Sequence, residues 1–471
     1  KGSVEFTNRT ISEDFDLDDQ NRDLFLTTGK IRIEFRDMDH KSWLDDLKLR
    51  LSYGTAGNNN IPSGQMAQTL EVRATTWVNR FNSFWAGTTT MANPDLKWET
   101  TVTRNLGLDM TTLGGRLTAS LEGYINNTKD LLIRFPTPGT GYNDQYRNMG
   151  KTRNRGIEAT ANWIAVDKPH FGLSVAANIG FNQNKIISLG AMENFSAISG
   201  WASTEIGADY WIEEGGSVGK MYGYKNGGRY EVSDFEGYIN GKWVLKEGVA
   251  NSQPVVGTLR PGSLKLINTT QSDSILVNES DRTIIGDANP LHTGGFTLNA
   301  RLYGFDLSAA FNWSYGNDIY NANKVEYTST SKYHSRNMIS MMEAGKRWTN
   351  LKEDGTLSND PAELSALNAN TTLWSPYMSR YVFTDWAVED GSFLRLNTLT
   401  LGYTLPRELT GRTGIQTLRF YVSGYNVHCW TRYSGFDPEV STRRNTPLTP
   451  GVDYSAYPKS RSVVLGMNLS F

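Results

Sequence analysis

The last ten residues of the chain alternate strictly between apolar and more polar side chains. Val463, Leu465, Met467, Leu469 and the terminal Phe471 share one face of a strand, because successive side chains of a strand point to opposite faces. An apolar row that ends in an aromatic residue is typical of the closing strand of an outer-membrane β-barrel, which turns that row toward lipid and uses it as an assembly signal. The last strand of a soluble β-sandwich would also fit this segment taken alone.

Rows of the same kind recur along the chain. Phe171–Phe181 and Phe305–Tyr315 carry apolar side chains at every second position, and shorter rows begin at Leu47, Leu117 and Ile157. The two long rows match the ~9–11 residues that a tilted membrane strand needs, whereas soluble strands average ~5–6. No apolar run approaches the ~18 residues of a membrane helix, so the pattern favours a membrane span built from strands.

Short and long connections alternate between these rows. Leu113–Gly115, Asp167–Pro169 and Tyr303–Gly304 are tight turns, and the long polar stretches cover residues 55–99, 128–155, 183–294, 316–390 and 428–460. This asymmetry is expected of a barrel with short periplasmic turns and long extracellular loops. Parity then assigns Lys220–Lys225 to an external loop despite its strand-like composition. The tally predicts about 11–12 strands.

The acidic stretch Glu13–Asp19 is expected to be a solvated loop between strands at Ser3–Asn8 and Leu24–Phe35. Three of its residues, Asp14, Asp16 and Asp18, have the spacing that begins a calcium loop. The sixth position of that loop is Asp rather than Gly and the twelfth is Phe rather than Glu, so the EF-hand pattern fails. A loop calcium site is the alternative that this segment leaves open.

Composition excludes several classes of function. The net charge of -2 gives no electrostatic reason to bind nucleic acid. Cys429 is the single cysteine, which rules out an internal disulfide and a thiolate metal cluster. The five histidines lack the spacing of a zinc site. With no catalytic constellation in the sequence, we expect neither an enzyme nor a metal cofactor.

An ordered series of short segments is more specific. They are Leu47–Asn58, Asn93–Thr100, Thr128–Leu132, Asn148–Gly150, Asn154–Glu158, Gly286–Pro290, Gly294–Phe296, Ser314–Asn321, Val388–Leu396, Leu401–Pro406 and Gly435–Glu439. In this order they resemble the TonB-dependent outer-membrane nutrient importers of the SusC type from Bacteroidetes. Several are also ordinary turn sequences, in which Pro, Asx and Gly residues close turns. We therefore expect them to be architectural, with Glu99, Glu158, Glu389 and Arg395 paired across the lumen wall.

The resemblance implies an all-β fold, a transmembrane antiparallel β-barrel with long extracellular loops, crossing the bacterial outer membrane many times. Barrels of this class have ~22 strands and a plugged lumen. Residues 1–471 are then expected to supply the C-terminal half, with the plug domain and the TonB box outside them. The N-terminal remainder of the barrel would be a necessary partner, because unpaired strand edges are not satisfied by lipid.

The resemblance also implies a function. It is TonB-dependent import of oligosaccharides under a SusD-like surface lipoprotein lid, with energy from TonB–ExbB–ExbD and no other cofactor. Oligopeptide import by the same kind of protein is the first alternative. An energy-independent porin or adhesin barrel is the second, and a soluble carbohydrate-active β-enzyme is the third. Besides the lid, TonB and the ligand, membrane lipid would be a partner.

Aromatic residues cluster in the long polar stretches. Rings of this kind stack on sugar faces or hold peptide side chains, so we predict substrate contacts by Trp77, Trp85, Trp201, Tyr333, Trp374 and Tyr433. The alternative is that these rings pack within the loops or against the lipoprotein lid.

Overall fold

The computed structural model describes residues 2–17, 20–36, 43–59, 64–74, 83–137, 139–190, 192–201, 206–270, 274–330, 336–378, 380–411, 414–442 and 447–471. For residues 2–36, 73–74, 83–86 and 136 within these ranges it describes the main chain only.

Twelve strands form one antiparallel sheet in which each strand pairs with the next along the sheet. They are β1 (Gly2–Leu17), β2 (Gln20–Arg36), β3 (Leu44–Asn58), β4 (Glu99–Thr112), β5 (Leu117–Lys129), β6 (Lys151–Lys168), β7 (Phe171–Ser188), β8 (His292–Leu302), β9 (Phe305–Tyr315), β10 (Phe393–Thr404), β11 (Thr417–Thr431) and β12 (Ser462–Ser470). This confirms the predicted all-β meander and the tally of strands. Within the described ranges, β1 pairs only with β2 and β12 only with β11.

Strands β6 and β7 are longer than a membrane crossing requires. Each has 18 residues, whereas ~9–11 residues cross a bilayer. The predicted long loop 128–155 therefore ended too late and the loop 183–294 began too early, because both strands continue through polar residues. Main-chain hydrogen bonds hold the ladder whatever the side chains are, so a strand does not end where its apolar row ends.

The tight turns lie at the predicted places along the chain, although Asp167 and Lys168, predicted as turn residues, still belong to β6. Tyr303 and Gly304 both have positive φ, at 45° and 86°, as a two-residue type I′ hairpin requires. A Cβ on Gly304 would come within 2.8 Å of the Thr404 carbonyl oxygen, so the turn also needs the missing side chain. Pro169 and His170 alone separate β6 from β7.

The N-terminal hairpin departs from the prediction. β1 runs to Leu17 and β2 begins at Gln20, in unbroken register from Gly2↔Phe35 to Leu17↔Gln20. The expected loop at residues 13–19 is therefore wrong for residues 13–17. Asp14 and Asp16 lie in β1 with their main chain described, and Asp18 lies outside the described residues. The alternative of a loop calcium site stays untested.

The two faces of the sheet differ in chemistry. The outer face, as we call it, carries exposed apolar side chains in continuous cross-strand rows. Leu51, Leu106, Leu121, Ile157, Phe181, Leu298, Leu307, Leu401, Phe420 and Leu465 belong to it. The opposite, inner face carries Arg50, Asp109 and Glu122. An apolar outer face and a polar inner face are those of a membrane barrel.

The long connections fold into small sheets and helices. The strands are Leu70–Ala74, Ser83–Gly87, Thr90–Met91, Leu132–Pro136, Asp144–Asn148, Asn194–Ala197, Tyr210–Glu213, Lys220–Gly223, Asn226–Arg229, Phe235–Ile239, Lys242–Leu245, Leu264–Leu266, Thr283–Asp287, Asp318–Asn321, Val388–Asp390 and Val452–Asp453. The α-helices are Gln253–Val256, Ala322–Glu326, Pro361–Leu367 and Arg407–Thr410, with 3-10 turns at Val232–Asp234, Glu279–Asp281, Ser340–Met342 and Asp385–Ala387. Among the described residues, no helix is both long enough and apolar enough to cross a membrane.

The hydrophobic core lies in these connections, not in the wall. We call the packed unit formed by the described residues of the connections 189–291, 316–392 and 432–461 the loop body. Its largest cluster includes Tyr210, Met221, Tyr320 and Phe383 from two of the three connections, joined by Val452 from the third. The strand Lys220–Gly223 lies inside this body, as parity predicted.

Candidate functional site

A cavity of about 1740 Å³ lies between the wall and the loop body. Strands β3 to β7 form one side of it, and the segments 215–217 and 287–291 form the other. The lining contains many neutral hydrogen-bonding side chains, among them Ser52, Asn105, Tyr124, Asn182, Gln183, Asn184, Ser217 and Asn289. Drug-sized ligands occupy pockets of ~300–1,000 Å³, so a cavity of this size suits an extended ligand.

The inner-face side chains at the cavity are held by cross-strand hydrogen bonds. The Tyr124 hydroxyl donates to Asn182 Oδ1 at 3.0 Å, and Asn184 Nδ2 donates to Asn154 Oδ1 at 2.9 Å. Asn184 Oδ1 also accepts from the main-chain N–H of Val218 at 3.1 Å, which fixes the loop body to β7. The amides at the cavity therefore have defined orientations.

One ion pair borders the cavity. Lys220 Nζ lies 2.7 Å from Asp287 Oδ2, and both side chains are about one-third exposed. Asp287 also receives the side-chain N–H of Asn289 at 2.7 Å. Because the carboxylate and the ammonium neutralise each other, this pair adds no net charge to the lining, which Arg104, Arg153, Arg155 and Lys185 also border.

Charge pairing across the wall occurs, but between residues that the sequence did not indicate. Arg50 donates to Asp109 from Nε at 2.8 Å and from Nη2 at 2.9 Å. Glu122 lies 3.6 Å from the same Nη2. Gly107 faces Arg50, and a Cβ there would meet the guanidinium at 2.7 Å. A glycine at the position opposite an inward-facing arginine was the sequence signal that could have indicated this ion pair.

The predicted pairing of the motif residues is partly wrong. Glu99 accepts from Asn58 Nδ2 and from the main-chain N–H of Leu132. Among the described residues neither Glu99 nor Glu158 makes an ion pair. Glu389 and Arg395 do form ion pairs, but with residues of the loop body rather than across the wall. Glu389 and Arg395 pair with oppositely charged residues that the folding of the loops places beside them.

Arg395 connects β10 to the last long connection. Its Nη2 lies 2.5 Å from Asp437 Oδ1, its Nε lies 3.1 Å from Glu439 Oε2, and its Nη1 donates to Asn426 Oδ1 at 2.6 Å. The arginine side chain is only 3% exposed. Two of the segments that carried the family resemblance, Val388–Leu396 and Gly435–Glu439, are therefore joined by this contact.

Glu389 is the second junction of the loop body. It lies 3.5 Å from Lys324 Nζ and accepts from Asn321 Nδ2 and from the main-chain and hydroxyl donors of Ser434. Burial opposes ionisation, but Lys324 and the hydrogen-bond donors outweigh it and hold the pKa of Glu389 below its usual value. Glu389 is thus a buried anion whose partners come from two connections.

The described aromatic residues that we predicted to bind substrate are core residues here. Trp201 is 1% exposed and donates from Nε1 to the Tyr320 hydroxyl at 2.7 Å. Trp374 is 4% exposed, with its ring against Trp386. Tyr433 is 5% exposed and donates to Asp453 Oδ2 at 2.6 Å. These rings pack within the loops, as the alternative foresaw, and their contact with a ligand stays a prediction.

The other members of that predicted set give no contact to report. Trp77 and Tyr333 lie outside the described residues. Trp85 lies in the strand Ser83–Gly87, and its side chain is also outside the described part. The sequence missed the cavity amides, because single Asn and Gln residues in strands carry no periodic or spacing signal.

The apolar row of β12 lies on the outer face, as predicted. Val463, Leu465, Met467, Leu469 and Phe471 are all exposed, and Leu465 is 81% exposed. Leu465 pairs with Val422 and Met467 with Phe420, so the row continues the outer face of β11. This geometry suits a lipid-facing strand, and the role of the row as an assembly signal stays a prediction. Among the described residues, no three His, Cys, Asp or Glu side chains converge as a metal site.

Comparison with known proteins identifies the family. The profile of the TonB dependent receptor-like β-barrel family matches residues 7–251, just over half of the chain. The chain belongs to the TonB-dependent receptor-like β-barrel family. It is therefore an outer-membrane β-barrel protein, as the ordered motifs suggested.

Individual relatives agree with this family. TonB-dependent receptor P3 of Formosa agariphila is 32% identical over 90% of this chain and 39% of that protein. TonB-dependent receptor SusC of Bacteroides thetaiotaomicron is 28% identical over 91% of this chain and 38% of that protein. The chain thus spans about two fifths of the length of these curated relatives.

A solved structure has the same fold. The RagAB peptide importer in its closed-closed state superposes with a TM-score of 0.73, covering 100% of this chain and 46% of that chain. The sequences are 23% identical in that comparison, so the similarity supports the fold of this chain alone.

Proposed function

We propose that this chain supplies wall strands and external loops to a SusC-type, TonB-dependent importer that carries oligosaccharides across the outer membrane. The observation that carries the proposal is the cavity between β3–β7 and the loop body. It is larger than a small-molecule pocket. In this role the chain binds and passes a ligand without changing it chemically.

The lining supports a glycan. Amide side chains offer both donors and acceptors, which match the hydroxyl groups of a neutral sugar. Tyr124 is also among the lining residues and adds ring surface for stacking. The hydrogen bonds of Tyr124 and Asn184 limit their motion, which lowers the entropy cost of binding.

An oligopeptide is the second candidate, because the protein with the same fold is described as a peptide importer. Peptide main chains present alternating donors and acceptors that the same amides could bind. The two candidates therefore share the cavity and differ in the ligand alone.

A SusD-like surface lipoprotein is the proposed partner on the outside, and TonB, powered by ExbB–ExbD, is the proposed energy source. Four exposed apolar side chains of the loop body support a protein partner: Leu357, Tyr377, Phe436 and Tyr457, of which Tyr457 is 91% exposed. Exposed apolar surface on a folded domain often marks an interface. The curated relative SusC and the RagAB importer support the same partnership by family.

The test uses cells that lack the gene and are complemented with the whole protein. Uptake of fluorescent oligosaccharides and oligopeptides of matched size is measured, with and without collapse of the proton-motive force. We expect energy-dependent uptake of an oligosaccharide, and a loss of about tenfold for Asn182→Ala with Asn184→Ala, since two hydrogen bonds of ~0.5–1.5 kcal/mol are removed. The exposed double variant Lys242→Gln with Lys246→Gln is the matched control.

Each other outcome contradicts part of the proposal. Energy-dependent uptake of the peptide alone would replace the glycan by the second candidate. Uptake that survives collapse of the proton-motive force would refute TonB dependence. Purification of the detergent-solubilised complex with no lipoprotein at a stoichiometric level would refute the lid.

A further inference from the structure

A cluster of positive side chains lies on the outer face, directly beyond the apolar rows of four neighbouring strands. The apolar outer-face residues next to this cluster are Leu106 on β4, Ile125 on β5, Ile157 on β6 and Phe181 on β7. The cluster consists of Arg104, Lys129, Lys151, Arg153, Arg155 and Lys185, and we call it the rim patch.

The register brings the members of the rim patch together. Ile125 lies opposite Arg104 on one side and Arg155 on the other, and Asn127 lies opposite Arg153. Opposed residues on neighbouring strands have Cβ atoms ~4.5–5.5 Å apart. Arg104, Arg153, Arg155 and Lys185 also border the cavity, because their strands form its wall. The register places their side chains on the outer face, in line with the apolar rows.

The rim patch is exposed and has no negative partner. All six of its side chains are exposed, and among the described residues none of them forms an ion pair. The outer-face positions between them hold Val102, Asn127 and Gln183 rather than a carboxylate. Unneutralised charge of one sign on a small area creates a local potential that attracts anions.

Two arginines of the patch are oriented for a ligand. Arg153 donates from Nε to Asn127 Oδ1 at 2.8 Å, and Arg155 donates from Nε to Gln183 Oε1 at 2.8 Å. Both acceptors are neutral amides, Asn127 on β5 and Gln183 on β7, so they do not neutralise the positive charge of the arginines. The Nη groups make no hydrogen bond within the described part of the chain, which leaves them for the bidentate contact that arginine makes to phosphate.

The height of the patch points to the membrane. The outer-face row of β7 from Phe171 to Phe181 spans about 33 Å along the strand at ~3.3 Å per residue. With a strand tilt near 40°, this corresponds to the ~25 Å apolar band of an outer-membrane barrel. Arg155 and Lys185 follow at the next one or two outer-face positions, which is the level of the lipid headgroups.

The neighbouring part of the rim has different chemistry. On β8 and β9 the same level carries aromatic side chains, with His292 stacked on Tyr315 and accepting from Trp313 Nε1 at 3.0 Å. Aromatic girdles of this kind are a general feature of membrane barrels. At this level the described residues of β8 and β9 include no lysine or arginine, so the rim patch is not part of a uniform belt of cations.

We propose that the rim patch binds the phosphate group of an anionic lipid in the outer leaflet. Arg153 and Arg155 would hold the phosphate through their Nη groups, with Arg104 and Lys185 adding charge around it. The acyl chains would lie on the apolar rows below Ile157 and Phe181.

The test uses the whole protein, purified in detergent and delipidated. Native mass spectrometry measures the binding of phosphatidic acid and of diacylglycerol with the same acyl chains. We expect phosphatidic acid to bind and diacylglycerol to bind far less. The double variant Arg153→Gln with Arg155→Gln should bind phosphatidic acid about thirtyfold less tightly. Each cation near an anionic lipid contributes about 1 kcal/mol, and the loss of two such contributions corresponds to that factor.

The controls test whether total charge, loss of the fold or free phosphate could explain the result. Lys242→Gln with Lys246→Gln removes two exposed charges elsewhere and should bind lipid as the wild type does. Arg153→Lys with Arg155→Lys keeps the charge and should restore most of the binding, and heat-modifiable gel mobility should be the same for all variants. Inorganic phosphate at the same concentration should not compete.

The proposal would be overturned by any of three results. They are unchanged binding of phosphatidic acid by the Gln variant, equal binding of diacylglycerol by the wild type, and displacement of the lipid by inorganic phosphate at equal concentration. Equal loss of binding in the Lys242 and Lys246 control would also overturn it, because total charge rather than the rim patch would then be responsible.

Discussion

Removing the guanidinium of Arg395 should release the last long connection from β10. Arg395 is 97% buried and holds Asp437 and Glu439, which belong to the stretch between β11 and β12. Arg395→Met fills most of the volume and leaves Asp437 buried without its main partner. Breaking a buried ion pair from one side costs ~3–5 kcal/mol.

The expected loss lies at the lower end of that range, because one cation remains. Lys459 Nζ lies 2.8 Å from Glu439 Oε2 and 3.8 Å from Asp437 Oδ2. We therefore expect the connection to open with a free energy lowered by about 3 kcal/mol. This corresponds to hydrogen exchange about a hundredfold faster in residues 432–461.

The assay is hydrogen-exchange mass spectrometry on the whole protein in detergent. The control is Lys459→Met, which removes a 47% exposed member of the same network. A half-exposed ion pair is worth ~0–1 kcal/mol, so its exchange should rise no more than about fivefold. The reasoning fails if Arg395→Met exchanges like the wild type, or if the two variants are equal.

Three further predictions concern other parts of the chain. Burial raises the pKa of Asp209 from its ordinary value of 3.8 to about 6. Ionisation of Asp209 therefore costs the loop body up to about 3 kcal/mol as the pH rises from 4 through 6. Protease resistance should fall over that window, and Asp209→Asn should remove the dependence. Trp201→Ala should destabilise the loop body by ~3–5 kcal/mol, because it leaves a cavity in the core. Trp201→Phe should cost about 1 kcal/mol, because it loses only the hydrogen bond to Tyr320. Both losses are measured as protease cleavage in residues 189–291. Deletion of Phe471 should impair assembly, and normal outer-membrane levels of the deleted protein would contradict the role we give to that residue.

The wall was predictable because its signals are local. Alternation at Phe171–Phe181 gives the face of each residue directly, and the turn at Tyr303–Gly304 needs only two residues of suitable chemistry. The ends of the strands were less predictable. β6 and β7 continue through polar residues, since pairing of the main chain requires no apolar row.

The cavity and the loop body were not predictable in the same way. Tyr124 and Asn182 meet because three strands pair in one register, although they are 58 residues apart. Trp201 was proposed as a ligand contact because of its residue type alone, and its burial follows from Tyr320, which is 119 residues away. Residue type restricts what a side chain can do, but its neighbours decide what it does.

The sequence by itself therefore determined the class of fold, the antiparallel order and approximate number of the strands, and the apolar face that ends at Phe471. These follow from a period of two and from connection length, which are properties of neighbouring residues. Only the tertiary structure decided which charges pair, which aromatic rings are buried and where a ligand has room. Those depend on contacts such as Tyr210 with Pro450, 240 residues apart, which no local pattern encodes.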